Sequence, residues 1–191
     1  FTKAVIDNLR AVGIATVIAS GNDKFSNGIS SPACISSAVS VGSTIDGSGG
    51  TIPDSISDFS NSASILDLLA PGQWITSSVP GGGTATWSGT SMAAPQVAGA
   101  WAVLKSKETT GSVDQILSAL TSTGKPITDL RNNLTKPRIQ IVSALNSLTT
   151  ADSYSSNTSV TLTATPSPGF QFKSWSGCDS VSGNECTVQT N

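Results

Sequence analysis

The sequence predicts an α/β fold, in which helices flank a mostly parallel sheet, followed by a small all-β segment. Up to residue 149, stretches with helical spacing of apolar residues alternate with short apolar runs that are rich in β-branched residues. Clusters of Gly, Pro, Ser and Asn separate these stretches, as is typical of loops. From residue 150, polar residues alternate with apolar ones, which favours strands and hairpins. We therefore expect two domains, over residues 1–149 and 150–191.

The first predicted elements are a helix over residues 2–12 and a strand over residues 14–19. Gly13 suits a left-handed helix cap between them. The strand is a near-continuous apolar run, as in a parallel strand buried on both faces. Residues 20–23 follow at its carboxyl end, where open α/β sheets place their ligands.

Further strands are predicted at residues 38–42, 65–69 and 74–79. A polar approach over residues 84–88 then leads into a helix over residues 90–105. The many Ala and Gly residues of this helix predict a narrow surface that lies close to neighbouring backbone. We expect the helix to be central and buried.

Two more helices complete the first domain. The pattern Ser112-Val-Asp-Gln115 is a capping box, which opens a helix through Leu120. Pro137 suits the first turn of a last helix over residues 137–148. In the tail, alternation predicts strands over residues 160–164 and 170–172.

The composition argues against several classes of partner. With 191 residues, 37% of them hydrophobic, the chain can bury one sizeable core. The net charge is −2, only 12% of residues are charged, and no basic cluster suggests nucleic acid or an anionic membrane. The apolar runs are shorter than the roughly 18 residues of a membrane-spanning helix. Low charge and abundant Ser, Thr, Gly and Asn are typical of secreted bacterial proteins, so we expect secretion.

A serine at the start of a predicted helix is the candidate nucleophile. In the string Gly89-Thr-Ser-Met-Ala-Ala-Pro95, Ser91 lies where the free N–H groups of a helix begin. The Ser91 amide is placed to donate to the oxyanion of an acyl-transfer intermediate, and Asn22, beyond a buried strand, is placed to donate a second hydrogen bond. The alternative role of Ser91 is an ordinary helix N-cap.

The chain contains no histidine, although a serine nucleophile ordinarily needs an adjacent base. An α/β-hydrolase elbow requires Gly two residues after the serine, where this chain has Ala93, and a histidine further along. That family is therefore excluded.

Several strings along the chain, in order, resemble those of the subtilisin-like proteases, or subtilases. Residues 89–99 resemble the serine motif of that family, and residues 17–22 resemble its oxyanion-hole strand and Asn. Further similar strings are residues 31–33, 39–42, 59–61 and 69–72. The similarity spans about residues 1–148, and it implies a subtilisin-like sheet whose N-terminal portion is missing from this chain.

The resemblance implies a serine endopeptidase that acts on polypeptides. Ser91 would attack the scissile carbonyl, and Asn22 with the Ser91 amide would stabilise the oxyanion. Substrate-binding residues would be Ser20, Gly21, Gly89 and Thr90. The family order of Asp, His and Ser places the other two triad members before Phe1, so we expect this chain alone to be inactive.

Two further points concern local chemistry. The family usually has His after the motif's Pro, where this chain has Gln96, a change that we expect to leave the mechanism intact. Calcium stabilises many subtilases, but Asp46, Asp54 and Asp58 lack ligand spacing and are interpreted as solvated turn residues. We predict no cofactor and no metal site from these residues.

The three cysteines divide into a pair and a single residue. Cys178 and Cys186 flank a predicted hairpin and suggest a local disulfide. Cys34 is either a buried thiol or paired with a cysteine upstream of Phe1. The tail, around Trp175-Ser-Gly-Cys178, resembles internalin-type bacterial repeat modules. Its aromatic residues are interpreted as core, and the module is a candidate for binding a cell surface or a polysaccharide.

A second hypothesis is a non-catalytic binding or adhesion protein that keeps the subtilase fold. Retention of both Ser91 and Asn22 argues against it, because a binding scaffold has no need of this pair.

Overall fold

The computed structural model describes residues 2–47, 50–149, 159–166 and 171–189. The chain forms two compact units, Phe1–Leu148 and Thr149–Asn191. The helices are α1 (Thr2–Ala11), α2 (Thr90–Lys107), α3 (Val113–Thr123) and α4 (Ile141–Thr149). The strands of the first unit are β1 (Val17–Ala19), β2 (Val39–Ile45), β3 (Leu68–Gln73), β4 (Ile75–Ser78), β5 (Thr84–Trp87), β6 (Lys125–Asp129) and β7 (Leu134–Arg138).

A five-stranded sheet with the order β1-β2-β3-β7-β6 forms the centre of the first unit. Strands β1, β2, β3 and β7 are parallel, and β6 is antiparallel to β7. The register pairs Val17 with Val39 and Val41 with Leu68. The predicted α/β class, with a mostly parallel sheet and packed helices, is confirmed.

The main hydrophobic core lies between the sheet and helix α2. Val97, Ala100 and Leu104 of α2 are buried against Val41 and Leu68 of the sheet. Helices α3 and α4 extend the same core through Ile116, Leu120 and Ala144. On the opposite face of the sheet, a smaller cluster joins Leu66, Leu69 and Ile127. Both faces of the sheet therefore carry buried apolar residues, and α2 packs over strands β1, β2 and β3.

The prediction that α2 is buried is only half right. One face packs on the sheet, but Ala98, Gly99, Ala102 and Val103 are exposed on the other. Because the residues on the exposed face are as small and apolar as many on the buried face, the sequence pattern of the helix could not show which face is buried.

The first predicted strand is shorter and less buried than expected. Strand β1 begins at Val17 rather than at residue 14, and its residues are only half-buried. The reason is its position, because β1 is an edge strand that pairs with β2 alone. The strand predicted at 38–42 is β2, and the strand predicted at 65–69 is shifted towards the C-terminus as β3.

Three predictions in the second half of the unit need correction. The strand predicted at 74–79 is β4, but it pairs with β5 in a separate two-stranded antiparallel sheet. Residues 84–88, expected as an approach to the helix, contain β5. Pro137 does not begin a helix: it lies in β7 opposite Pro126 of β6, near the outer edge of the sheet. An edge position tolerates proline because fewer ladder bonds are lost.

Helix α3 begins as predicted with a capping box. The Ser112 hydroxyl accepts from the Gln115 backbone N–H at 3.1 Å, and the Gln115 side chain accepts from the Ser112 N–H at 2.7 Å. Two of the free N–H groups at the helix start are thereby satisfied. The helix ends at Thr123, three residues beyond the predicted end.

The second unit is a three-stranded antiparallel sheet with the order β8-β10-β9. Its strands are β8 (Ser159–Thr163), β9 (Ser180–Ser182) and β10 (Glu185–Gln189). The predicted disulfide between Cys178 and Cys186 is present, so that expectation is confirmed. The rings of Phe172 and Trp175 lie 5.2 Å apart. A strand was predicted over residues 170–172, but Gln171 and Phe172 are not in a strand, so that prediction is wrong for them. Phe170 lies outside the described residues.

Candidate active site

Ser91 lies in the first turn of α2, directly after Gly89 and Thr90. Gly89 precedes the helix and is its N-cap residue, and its N–H donates to the Gly72 carbonyl at 2.8 Å. Thr90 is fully buried, whereas Ser91 is exposed. Because the cap position belongs to Gly89, the alternative that Ser91 is an ordinary N-cap is wrong. The Ser91 hydroxyl is left facing outward at the positive end of the helix.

The side chain of Asn22 is oriented by Thr90. The Asn22 Oδ1 accepts two hydrogen bonds, from the Thr90 backbone N–H at 2.9 Å and from the Thr90 Oγ1 at 2.8 Å. A backbone N–H can only donate, so the atom that faces it must be the oxygen of the amide. The Asn22 NH₂ group consequently points to the other side, away from Thr90.

Asn22 and Ser91 border the same space beside Gly89. A Cβ atom built on Gly89 would lie 3.4 Å from the Asn22 Nδ2 and 3.7 Å from the Ser91 backbone nitrogen. Glycine leaves this space open. Within the described part of the chain, neither the Asn22 Nδ2 nor the Ser91 Oγ hydrogen-bonds to another group. The Met92 Sδ borders the same space, also 3.7 Å from that Cβ, so two N–H donors and one sulfur atom surround it.

The other predicted substrate-binding residues lie beneath this space. Gly21 donates its N–H to the Thr90 Oγ1 at 3.2 Å. Ser20 is fully buried, and its hydroxyl donates to the Asn61 carbonyl at 3.0 Å. The structure thus brings Gly21, Gly89 and Thr90 together with Asn22 and Ser91, while the Ser20 hydroxyl faces the interior.

A hollow of about 350 Å³ opens beside Ser91. The β4–β5 hairpin forms one wall and the first turns of α2 form the other. Its lining residues are Ile75, Ser77, Ser78, Val79, Ala85, Trp87, Ser91, Met92, Pro95 and Gln96. This wall was not predicted, because residues 84–88 were interpreted as a polar segment leading into the helix. The alternation Thr84-Ala-Thr-Trp87 is the pattern that indicates a strand there.

Gln96 lies one and a half turns along α2 from Ser91. Its Nε2 donates to the Pro71 carbonyl at 2.6 Å, and it lies 3.5 Å from the Met92 carbonyl. The side chain therefore ties the helix to the end of β3 and makes no hydrogen bond to Ser91.

Two of the loop aspartates, Asp54 and Asp58, form ion pairs. Asp54 pairs with Lys125 at 2.7 Å and also with Arg138, so the prediction of a solvated turn residue is wrong for Asp54. Burial raises the pKa of Asp54, but the hydrogen bonds from Lys125 and Arg138 outweigh it and hold that pKa below the ordinary value. Asp58 is exposed and pairs with Lys24, which lowers the pKa of Asp58.

The described residues lack metal-binding clusters and membrane-spanning helices, and Cys34 among them is exposed. They contain no group of three or more His, Cys, Asp or Glu side chains that could hold a metal ion. None of their helices is long and apolar enough to cross a membrane. Cys34 is exposed and not in a disulfide, so the alternative of a buried thiol is wrong.

Comparison with known families gives two matches. A profile described as "Subtilase family" matches residues 2–164, and one described as "Divergent InlB B-repeat domain" matches residues 140–191. The second match confirms the resemblance of the tail to internalin-type repeats.

Curated relatives of the chain are named as subtilisin-like proteases. A subtilisin-like serine protease of Penicillium rubens is 43% identical over 111 residues, covering 56% of this chain and 26% of the relative. Subtilisin-like protease 3 of Trichophyton equinum is 38% identical over 122 residues, covering 64% of this chain and 29% of the relative. The chain spans between a quarter and a third of the length of these relatives.

Solved structures of proteases are also similar to this chain. A protease of Pseudoalteromonas arctica superposes with a TM-score of 0.66 at 26% identity, covering 76% of this chain and 46% of that one. A cold-adapted subtilisin-like serine proteinase gives 0.63 at 33% identity, covering 72% and 50%. These structures confirm that the sheet and its helices are subtilisin-like. The chain belongs to the subtilase family.

Proposed function

We propose that the chain is part of a serine endopeptidase of the subtilisin type, with Ser91 as its nucleophile. The Ser91 Oγ attacks the scissile carbonyl carbon while its proton passes to a base. The C–N bond then breaks, the amine leaves with a proton, and water hydrolyses the acyl ester. The helix N-terminus at Ser91 favours the negative charge that develops on the carbonyl oxygen.

One observation carries this proposal: the Asn22 Nδ2 and the Ser91 N–H border the same open position beside Gly89. A Cβ at Gly89 would lie in ordinary contact with the Asn22 Nδ2 at 3.4 Å and with the Ser91 nitrogen and the Met92 Sδ at 3.7 Å, so both donors border the space that glycine leaves unfilled. An oxyanion in that space would accept from both groups. Donors fixed before the reaction need no reorganisation as charge develops, which is the basis of oxyanion stabilisation.

Thr90 and Gly89 support that arrangement without touching the reacting atoms. Thr90 fixes the rotation of the Asn22 amide through two hydrogen bonds to its Oδ1. Gly89 keeps the space open, since any side chain there would fill it. Gly21 and Ser20 hold the loop that carries Asn22.

The hollow beside Ser91 supports a polypeptide substrate. Its walls include the apolar side chains of Ile75, Val79, Trp87 and Met92, and Trp87 is 58% exposed. We expect one side chain of the bound polypeptide, next to the scissile bond, to occupy it.

The general base is expected from outside these 191 residues, because the chain contains no histidine. We propose that the catalytic His and Asp lie before Phe1 in the complete protein, and that the 191-residue chain alone is inactive. The disulfide between Cys178 and Cys186 favours an oxidising, extracellular location, and we propose secretion. Binding of a cell surface or a polysaccharide by the tail stays a prediction.

Labelling with a fluorophosphonate probe tests the nucleophile. We expect the complete protein to be labelled at Ser91, identified by peptide mass, and the 191-residue chain to react no faster than free serine. Ser91→Ala should abolish labelling, whereas Ser88→Ala, a change at a neighbouring exposed serine, should retain it. Labelling that survives Ser91→Ala would contradict the assignment, and rapid labelling of the 191-residue chain would show that another base activates Ser91.

A further inference from the structure

The loop that carries Asn22 is held by one buried amide side chain, that of Asn61. Asn61 is fully buried, at 0% exposure, in the loop between β2 and β3. Its Oδ1 accepts from the backbone N–H groups of Asp23 at 2.9 Å and Phe25 at 3.0 Å. An amide oxygen with two lone pairs is fully used by these two donors.

The other polar groups of Asn61 bind the chain on the opposite side of Asn22. The Nδ2 donates to the Ser20 carbonyl at 3.2 Å, and the Asn61 backbone N–H donates to the Gly21 carbonyl at 2.9 Å. The Nδ2 also contacts the Asp23 Oδ2 and the Ser30 Oγ, both at 3.0 Å. Asn61 therefore bonds to the backbone of the two residues before Asn22 and of the residue directly after it, while the Asn22 side chain bonds to Thr90.

Gly21 shows how closely the amide fits. Gly21 has a φ of +103°, and a Cβ there would come closer than 3.0 Å to both the Asn61 Nδ2 and the Ser30 Oγ. The Asn61 side chain therefore occupies the space that a side chain at position 21 would need. Glycine at position 21 therefore allows the Asn61 amide to pack directly against the backbone of the loop.

The loop that carries Asn61 is held by Arg131, which lies between β6 and β7. Arg131 donates to the Ser60 carbonyl at 2.8 Å and to the Asp58 carbonyl at 3.0 Å. Asp129, which is buried, pairs with Arg131 at 2.7 Å and completes this support. The loop of residues 57–62 is thus fixed on one side by the β6–β7 hairpin and fixes the Asn22 loop on the other.

We propose that Asn61 is a positioning residue of the active site, which sets the location of the Asn22 amide donor by fixing the backbone on both sides of it. This inference rests on the proposed oxyanion role of Asn22. A donor moved by about 1 Å loses much of its effect on the transition state, whereas the ground-state binding of the polypeptide depends on it little.

A double-mutant cycle in the complete protein tests this role. Asn61→Ala should lower kcat by about tenfold to a hundredfold, with KM changed less than about twofold. In the Asn22→Ala background, the same change should lower kcat by less than about twofold, because the donor that Asn61 positions is already gone. Rates are normalised to active sites by titration, so that loss of folded protein does not enter.

A matched control is Asn132→Ala. Asn132 is a half-buried amide, which donates to the Ser26 carbonyl at 2.7 Å and to the Ser62 Oγ at 3.0 Å, and no hydrogen bond joins it to residues 20–25 within the described part of the chain. We expect it to lower thermal stability and leave kcat per active site unchanged. A merely structural role of Asn61 predicts that Asn61→Ala behaves in the same way.

A charge exchange gives a second test that does not leave a cavity. Asn61→Asp keeps the oxygen that accepts from Asp23 and Phe25 but places a carboxylate against the Asp23 carboxylate, so kcat should fall. Adding Asp23→Asn restores a donor at that contact and should recover part of the lost kcat, while Asp23→Asn alone should be nearly silent.

The outcomes separate the two proposals. If Asn22→Ala leaves kcat unchanged, the oxyanion role and the positioning role are both overturned. If Asn22→Ala lowers kcat but Asn61→Ala costs as much in its presence as alone, or lowers kcat not at all, only the positioning role is overturned.

Discussion

At the scale of single residues, the orientation of the Asn22 amide determines which of its two polar atoms remains available as a hydrogen-bond partner. Its oxygen is occupied by the buried Thr90, and its nitrogen is left on the side of Ser91. The alternative rotation would place the NH₂ group against the Thr90 N–H, two donors facing each other, and would leave both unsatisfied. Thr90 therefore fixes the orientation of the Asn22 amide.

Thr90→Ala tests this orientation at the residue scale. It removes the hydroxyl that donates to Asn22 and accepts from Gly21, a loss of about 1 kcal/mol per hydrogen bond. We expect kcat of the complete protein to fall by about tenfold, with KM little changed. Thr90→Ser keeps the hydroxyl and should retain most of the activity. Equal losses in the two variants would show that the methyl group, and not the hydrogen bond, is required.

Gly21→Ala tests the close approach of Asn61. The added Cβ meets the Asn61 amide and requires an unfavourable φ, so we expect more than about 2 kcal/mol of destabilisation. Gly28→Ala is the matched control, because nothing lies within 4 Å of a Cβ there. Urea unfolding of the Ser91→Ala protein, which cannot digest itself, measures both. A stable Gly21→Ala protein would contradict the described loop.

Asn22 and Ser91 could be proposed from the sequence because each lies at the end of a recognisable element. The hydrogen bonds that orient them could not be predicted in the same way. Thr90 and Asn22 are 68 residues apart in the chain, and Asn61 is 38 residues from Asp23. Such contacts depend on how two loops meet after the sheet has formed, and no local pattern encodes that meeting.

Helices and strands were predicted correctly where the contacts that stabilise them lie within one turn. They were predicted wrongly where packing between distant parts of the chain determines the structure. The Ser112 capping box predicts the start of α3 because its bonds lie within one turn. The interpretation of Pro137 as the start of a helix was wrong because proline is equally compatible with an edge hairpin. The β6–β7 hairpin carries Arg131, so the missed element is the one that supports the Asn61 loop.

Ser112→Ala should destabilise the protein by about 1 kcal/mol, the ordinary effect of losing an N-cap side chain. Ser118→Ala, an exposed change within the same helix, should be neutral or slightly stabilising because alanine is the better helix former. Urea unfolding compares the two. Equal effects would mean that the capping box contributes nothing to stability.

The Asp129–Arg131 ion pair should make the free energy of unfolding depend on pH in the acid range. Burial raises the pKa of Asp129, but the hydrogen bonds from Arg131 outweigh it, and the net pKa is below the ordinary value of 3.8. The pair therefore stabilises the fold above the unfolded-state pKa, and this contribution is lost as pH falls below 3.8 and through the folded-state pKa.

Asp129→Asn removes that dependence. We expect the difference in unfolding free energy between the unchanged and variant proteins to be largest near about pH 6 and to shrink below about pH 4. Asp58→Asn, which alters an exposed ion pair, should change stability far less at either pH. A difference that stays constant with pH would contradict the assigned shift.

At the scale of the whole molecule, the 191-residue chain exposes surfaces that proteins usually cover. One edge of the sheet is β1, whose far side has no partner strand within the described residues. The outer face of α2 exposes Ala98, Gly99, Ala102 and Val103. Unpaired edges and apolar helix faces both promote association.

We therefore predict that the 191-residue chain self-associates and unfolds without a cooperative transition. Sedimentation velocity over a range of concentrations measures the first and calorimetry the second. Val103→Lys should reduce association, because it places a charge on the exposed α2 face. Val142→Lys, a change at an apolar residue of α4 that is 72% exposed, should not. A monomer with a cooperative melt would contradict this prediction.

The most direct test of the central claim is a crystal structure of the complete protein with a peptide boronic acid bound at Ser91. Boron then carries an oxygen that stands for the oxyanion of the tetrahedral intermediate. The account predicts that this oxygen accepts hydrogen bonds from both the Asn22 Nδ2 and the Ser91 N–H, in the space beside Gly89. A boronate bound to another residue, or one whose oxygen points to solvent with Asn22 unengaged, would contradict it.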